Sequence, residues 1–112
     1  MHDDHIDGPY YLVAVDVSSQ MVLSYDLGNG NRIGRVQETV FAVGWNSTYL
    51  VAQRHPDGDK SKTEYYYLIR KLDHKYADPS ECVRGPYDII EFDAKKRELN
   101  LPDFSRELRK LK

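Results

Sequence analysis

The chain has 112 residues, of which 40% are hydrophobic and 30% charged, values that indicate one compact domain rather than a disordered or fibrous chain. Its 16 basic and 18 acidic residues give a formal net charge of −2, so no strong field of either sign favours nucleic acid as a partner. The single cysteine, Cys82, excludes an intramolecular disulfide and a cysteine-based zinc site, and no apolar run is long enough to span a membrane.

Alternating apolar residues predict strands in the first third of the chain. Residues 1–9 are mostly polar and end at Gly8-Pro9, so we expect a flexible lead-in there. Residues 10–17 and 21–27 predict a pair of antiparallel strands, the first of them buried on both faces. The run Gly28-Asn29-Gly30-Asn31 accepts positive φ angles and predicts a tight turn before a short extended piece over residues 32–36.

The middle of the chain predicts a meander of three strands. Residues 40–45, 48–55 and 64–72 are rich in valine and aromatic residues, which favour pleated surfaces. Residues 56–62 separate the last two runs and have turn chemistry at every position. The three runs are therefore expected to pair in series.

The last third of the chain changes to a helical period. Residues 73–86 are polar and broken by proline, so we expect an irregular surface excursion. Ile89, Phe92 and Leu99 form one apolar stripe and predict a helix over residues 89–99, and residues 104–111 predict a second short helix or, alternatively, an edge strand. The predicted fold class is α+β: a twisted antiparallel β-meander of about five strands packed against one C-terminal helix, in a single domain over residues 10–112.

Two groups of residues resemble metal sites. The N-terminal segment holds five side chains that could ligate a transition metal: His2, Asp3, Asp4, His5 and Asp7. A flexible terminus cannot hold ligands in fixed geometry, so a solvated tail is the simpler interpretation. Asp57-Gly58-Asp59 resembles the start of a calcium loop, but it lacks the later bidentate carboxylate and lies beside two lysines.

The best nucleophile and base in the sequence are Cys82 and His74, eight residues apart in the predicted excursion. An incidental thiol near a surface histidine is the simpler interpretation of this pair. We therefore expect a non-enzymatic protein with no catalytic residue, no bound metal and no cofactor.

The strands on either side of the loop at residues 56–62 contain the strongest candidate binding residues. A symmetric loop would place His55 opposite Glu64 and Arg54 opposite Tyr65. Tyrosine and arginine dominate protein interfaces, so we predict a binding surface formed by Arg54, His55, Tyr65 and Tyr67. The alternative is that alternate tyrosines cover the core beneath the helix.

Three stretches resemble a known group of proteins: residues 43–56, residues 65–69 and Gly85-Pro86 before the helix that contains Phe92. Together, over residues 10–102, they resemble small uncharacterised bacterial envelope proteins, many of them predicted lipoproteins assigned to a domain of unknown function. The chain departs from that group in having no lipid-attachment cysteine at its N-terminus. The resemblance implies no functional residues.

We predict a protein-binding module, in the form of a bacterial envelope protein or an inhibitor or immunity-type protein. Its expected partner is another protein, with no nucleic acid and no membrane-spanning segment. The alternative is a small-molecule-binding domain or small enzyme with a pocket between sheet and helix, using His55, His74 or Cys82. The expected location is the cell envelope if Met1 replaces a removed signal peptide, and otherwise the cytoplasm.

Overall fold

The computed structural model describes residues 2–112. The first four strands, β1 (His2–Asp7), β2 (Tyr10–Ala14), β3 (Val22–Gly28) and β4 (Asn31–Val36), form an antiparallel sheet in that order. The expected tight turn joins β3 to β4, where Asn29 and Gly30 have φ angles of 57° and 79°. Asparagine and glycine tolerate this left-handed conformation, which explains the turn chemistry at that position.

The remaining strands form a second antiparallel sheet. It contains β5 (Val40–Trp45), β6 (Tyr49–Arg54), β7 (Glu64–Ile69), β8 (Val83–Tyr87) and β9 (Arg106–Glu107), in the order β8-β7-β6-β5-β9. Two helices accompany it, α1 (Pro79–Cys82) and α2 (Ile89–Leu99). The predicted three-strand meander corresponds to β5, β6 and β7, and the predicted helix corresponds to α2.

The main core lies between the two sheets. Alternate residues of the strands point inward, and Leu12 and Leu23 of the first sheet belong to the same buried cluster as Leu50 and Leu68 of the second. Each of these leucines is at most 1% exposed. Burying an aliphatic side chain of this size contributes about 1.5–3 kcal/mol, so the contact between the sheets stabilises the fold.

A second cluster covers the opposite face of the five-stranded sheet. Phe92 of α2 and Leu101 pack there against Val51 and Tyr67. The helix begins with a capping box, in which the Asp88 side chain accepts a hydrogen bond from the Glu91 backbone and the Glu91 side chain accepts one from the Asp88 backbone. The five-stranded sheet is therefore covered on both faces.

Charged side chains join the two sheets at their margins. Arg35 of β4 pairs with Asp73, which follows β7, at 2.9 Å, and both side chains are fully buried. The Tyr10 hydroxyl donates a further hydrogen bond to Asp73 at 2.8 Å. At another margin, Arg106 of β9 donates to the Asp4 carboxylate and to the His5 carbonyl of β1, both at 2.9 Å. These contacts fix the register of one sheet against the other.

The C-terminal segment crosses β5 at very short range. Ser105 N–H donates to the Val43 carbonyl at 2.9 Å, and Leu108 N–H donates to the Phe41 carbonyl at 2.7 Å. At Gly44, an added Cβ would lie 1.9 Å from the Asp103 carbonyl oxygen, so only glycine fits. Of the two alternatives for the tail, the structure shows the edge strand, β9.

The predicted fold class is wrong. The protein is mostly β, with two antiparallel sheets and two small helices among the described residues, instead of one meander packed on a helix. Alternation identified the strands, but alternation does not determine which strands share a sheet. Between the sheets, Val40 N–H donates to the Met21 carbonyl at 2.9 Å, and the chain changes sheet at this point.

Two segments expected to be irregular are ordered strands. The predicted lead-in contains β1, whose Ile6 points into the core at 6% exposure while its neighbours stay half-buried or exposed. Arg106 and Arg70 bind carboxylates of this strand, which explains how so polar a segment pairs with β2. The predicted excursion at residues 73–86 contains α1 and most of the edge strand β8.

Candidate functional site

Arg54 occupies the inner side of the five-stranded sheet. It lies directly opposite Glu64, and the two side chains form an ion pair at 2.8 Å. The guanidinium also lies 5.5 Å from the centre of the Tyr66 ring. Tyr65 pairs with Gln53, so the predicted register was wrong by one residue, because Pro56–Gly58 forms a 3-10 turn and the loop does not close symmetrically.

His55 is buried at 4% exposure, and its ring stacks on Phe41 with 4.3 Å between centroids. Its Nδ1 lies 2.8 Å from the Lys62 carbonyl oxygen. Since a carbonyl only accepts, Nδ1 is the donor in this hydrogen bond. The Nε2 of the same ring is enclosed and has no hydrogen-bond partner among the described residues.

Tyr65 and Tyr67 lie beneath α2. Tyr67 is 7% exposed and belongs to the cluster of Phe92 and Leu101, and the Tyr65 ring stacks on Phe92 with 5.2 Å between centroids. Their placement is that of the alternative interpretation, in which tyrosines cover the core. The four predicted residues therefore do not share one surface, although His55 and Tyr65 both line a groove of about 410 Å³.

The predicted nucleophile, Cys82, is buried, and the predicted base, His74, is hydrogen-bonded to the backbone. Cys82 is fully buried, and burial, reinforced by the charge of Asp73, raises the pKa of its thiol to about 11. The His74 Nδ1 accepts a hydrogen bond from the backbone of Tyr76 at 3.2 Å. A protonated, enclosed thiol is a poor nucleophile at neutral pH.

The groups that resembled metal sites are dispersed. In β1, successive side chains alternate between the two faces of the sheet, which separates the two histidines and three aspartates of that segment. The Asp59 carboxylate accepts hydrogen bonds from the backbone and hydroxyl of Ser61. Residues 2–112 contain no group of three or more His, Cys, Asp or Glu that could hold a metal ion.

The outer face of the four-stranded sheet has no covering layer of secondary structure among residues 2–112. We call it the open face and define it by Tyr11, Val13, Val22, Arg32 and Gly34. Val13 and Val22 are cross-strand partners, and no strand or helix within residues 2–112 packs over them. A groove of about 460 Å³ lies above this pair. Two residues in the link after β2, Val15 and Val17, are 65% and 56% exposed.

Aromatic and charged side chains occupy the other end of the open face. The Arg32 guanidinium lies 4.0 Å from the centre of the Tyr11 ring, within cation–π range. The ring of His5 lies 4.9 Å from the Tyr11 ring. Arg32 also pairs with Asp26 at 3.0 Å and Asp3 at 3.4 Å, so its charge is balanced.

Sequence analysis did not identify the open face. The alternation of Tyr11, Val13 and Val15 was interpreted as one face of a strand buried on both sides, because valine and tyrosine suit a core. The partners of Tyr11 in the neighbouring strands, Ser24 in β3 and Gly34 in β4, were the available indication that this face carries no continuous apolar layer, although Ser24 itself is buried at 3% exposure. Such partners become informative only once the pairing of strands is known.

Comparison with curated proteins finds a relative in Acanthamoeba polyphaga mimivirus, provisionally named a BTB/POZ domain-containing protein. The two sequences are 31% identical over 62 residues, which make up 54% of this chain and 12% of that protein. The chain thus spans a small part of the length of that relative. No solved structure matches the chain significantly.

The structure also bears on the predicted absence of a membrane span. No helix among residues 2–112 is long and apolar enough to cross a bilayer.

A family profile matches residues 7–112 of the chain. This match confirms the resemblance to a domain of unknown function. A bacterial envelope location and lipid attachment stay predictions. Because the match extends over more than half of the sequence, the chain belongs to the family described as Protein of unknown function (DUF3997).

Proposed function

We propose that this protein is a non-enzymatic protein-binding module that contacts its partner through the open face. One observation supports the proposal above others: the five-stranded sheet is covered on both faces, whereas the four-stranded sheet is covered on one. A sheet face that carries valine and tyrosine without a covering layer leaves apolar area in water, and burial against a partner would remove it.

The composition of the open face supports a protein as the partner. Val13 and Val22 provide an aliphatic centre, and Tyr11 and Arg32 are of the residue types that most often dominate binding energy. Polar groups such as Gln37 and Asp16 surround the valines. An apolar centre with a polar rim is the usual anatomy of a protein interface.

The mimivirus relative is named for a BTB/POZ domain, a class of protein-interaction domain. The shared segment covers 12% of that protein, so the proposal depends on the open face and not on that name. An inhibitor or immunity-type role, and a location in a bacterial envelope, are finer forms of the same proposal. The identity of the partner would decide between them.

The proposal can be tested by affinity capture from an extract of the source organism. The test variant is Val13→Ser with Val15→Ser, and the matched control is Ile89→Ser with Ile90→Ser, at 48% and 78% exposed positions on the opposite side of the molecule. We expect a stoichiometric protein to be captured by the wild type and the control and lost with the test variant. Thermal melts of both variants check that each remains folded. If every captured protein is retained by the test variant, the proposal is wrong.

A second candidate function is small-molecule binding in the groove shared by His55 and Tyr65. The observation that favours it is that Phe41 and Phe104 line the same groove, which gives it apolar walls beside the polar Gln53 and Thr63. The space between the sheet and α2, where the pocket was expected, is instead occupied by Phe92 and its neighbours. A thermal-shift screen of metabolites, repeated on Phe104→Ala, tests this candidate, and a ligand whose shift persists in that variant binds elsewhere.

A further inference from the structure

The groove on the open face has an aliphatic floor with a glycine beside it. Val13 and Val22 form the floor, and Gly34 of β4 lies beside them. A Cβ added at Gly34 would lie 2.5 Å from the Gln37 amide nitrogen and 3.2 Å from a Val22 methyl. The absence of a side chain at Gly34 therefore makes room for the Gln37 amide beside Val22, and Val13 and Val22 are both half-buried.

The charged residues of this groove do not balance one another. Arg32 lines it, but the Arg32 guanidinium already pairs with Asp26 and Asp3. Asp16 and Glu38 line it as well. Among residues 2–112, neither of these two carboxylates lies in a salt bridge. The groove thus combines an apolar floor with an excess of negative charge at its rim.

The apolar floor and the negative rim together favour one class of partner segment. An aliphatic side chain placed on the valines gains from leaving water, and a lysine or arginine beside it gains from the unbalanced carboxylates. An acidic segment would meet Asp16 and Glu38 as like charges, and a purely polar one would leave the floor exposed. Nucleic acid is disfavoured for the same electrostatic reason.

We propose that the groove binds a segment of a partner protein in which an aliphatic residue is flanked by lysine or arginine. This inference rests on the proposed function, since it names the kind of partner that the open face would take. Asp16 and Glu38 act as the specificity-determining residues, and Val13 and Val22 provide most of the contact area.

The test is selection of peptides from a phage-displayed random dodecapeptide library on the immobilised wild-type protein. Selected peptides are synthesised, and their Kd values are measured by fluorescence anisotropy. The comparison proteins are Asp16→Asn with Glu38→Gln, which keeps shape and removes charge, and the Val13→Ser, Val15→Ser variant. The Ile89→Ser, Ile90→Ser variant is the control.

We expect selected peptides to contain valine, isoleucine or leucine next to lysine or arginine. Their affinity should fall about five- to tenfold in the charge-neutral variant, because two exposed ion pairs contribute roughly 0.5–0.7 kcal/mol each. The serine variant should lose binding, and the control should keep it.

The outcomes separate the two proposals. Two results would overturn the inference but leave the proposed protein-binding function intact. In the first, the selected peptides depend on the valines but carry no net positive charge. In the second, they bind the charge-neutral variant as tightly as the wild type. If no selected peptide depends on the valines of the open face, both proposals are wrong.

Discussion

The two sheets differ in what their outer faces carry and in what covers them. The five-stranded sheet turns Tyr65 and Tyr67 outward, and α2 buries them with Phe92. The four-stranded sheet turns Val13 and Val22 outward, and no strand or helix within the described residues packs over them. The aromatic residues of the five-stranded sheet therefore belong to a core layer, and the uncovered face of the four-stranded sheet has smaller aliphatic residues at its centre.

The largest effect is expected where the two sheets are tied together. Asp73→Ala leaves the Arg35 guanidinium buried without its partner and also removes the acceptor for the Tyr10 hydroxyl. We expect the free energy of unfolding to fall by about 3–5 kcal/mol, measured by urea denaturation. The double variant Arg35→Met, Asp73→Leu should recover much of this loss. A double variant as unstable as Asp73→Ala would show that the charge is not the cause.

A smaller effect is expected from the covered face of the five-stranded sheet. Leu101 is 4% exposed beneath α2, so Leu101→Ala should lower the free energy of unfolding by about 2–3 kcal/mol. The matched change beside the open face, Val15→Ala at a 65% exposed position in the link after β2, should alter it by less than about 0.5 kcal/mol. Equal losses for the two variants would mean that the faces do not differ in covering.

The stability of the protein at alkaline pH tests whether the Tyr66 phenol is buried between the sheets. Burial, together with the hydrogen bond to Glu64, raises the pKa of Tyr66 from 10.0 to about 12. Between pH 10 and pH 12 the unfolded chain loses this phenol proton while the folded chain keeps it, so the free energy of unfolding falls as pH rises. We expect a loss on the order of 1 kcal/mol in urea denaturation curves. The slope should be shallower in Tyr66→Phe, and identical slopes would contradict the assignment.

Local structure was largely predictable from the sequence. The hairpin of β2 and β3, the turn at Asn29 and Gly30, and the α2 helix all follow from alternation, positive-φ residues and an apolar period near 3.6. The packing of one sheet on the other was not predictable. The strands of each sheet have one apolar side, and either sheet could have packed on a helix instead. Only the contact between Leu12, Leu23 and Leu50 reveals that the meanders pack on each other.

The candidate site was less predictable than the fold. A one-residue difference in the register of β6 and β7 moved Arg54 opposite Glu64 and left Tyr65 on the other face. Because side chains alternate along a strand, such a difference changes the neighbours of every residue in the strand. The polar β1 strand escaped prediction because its pairing depends on distant residues such as Arg106, which contact it only in the folded chain.

At Gly44, a purely structural constraint would give the same result in a mutational scan as a functional one. No side chain can replace its hydrogen while the C-terminal segment crosses β5 at this distance, so every substitution would displace the segment that contains β9. In a survey of variants, this position would tolerate as little change as a catalytic residue. A glycine shared at this position by other members of the family would report the close packing of two backbones instead of chemistry.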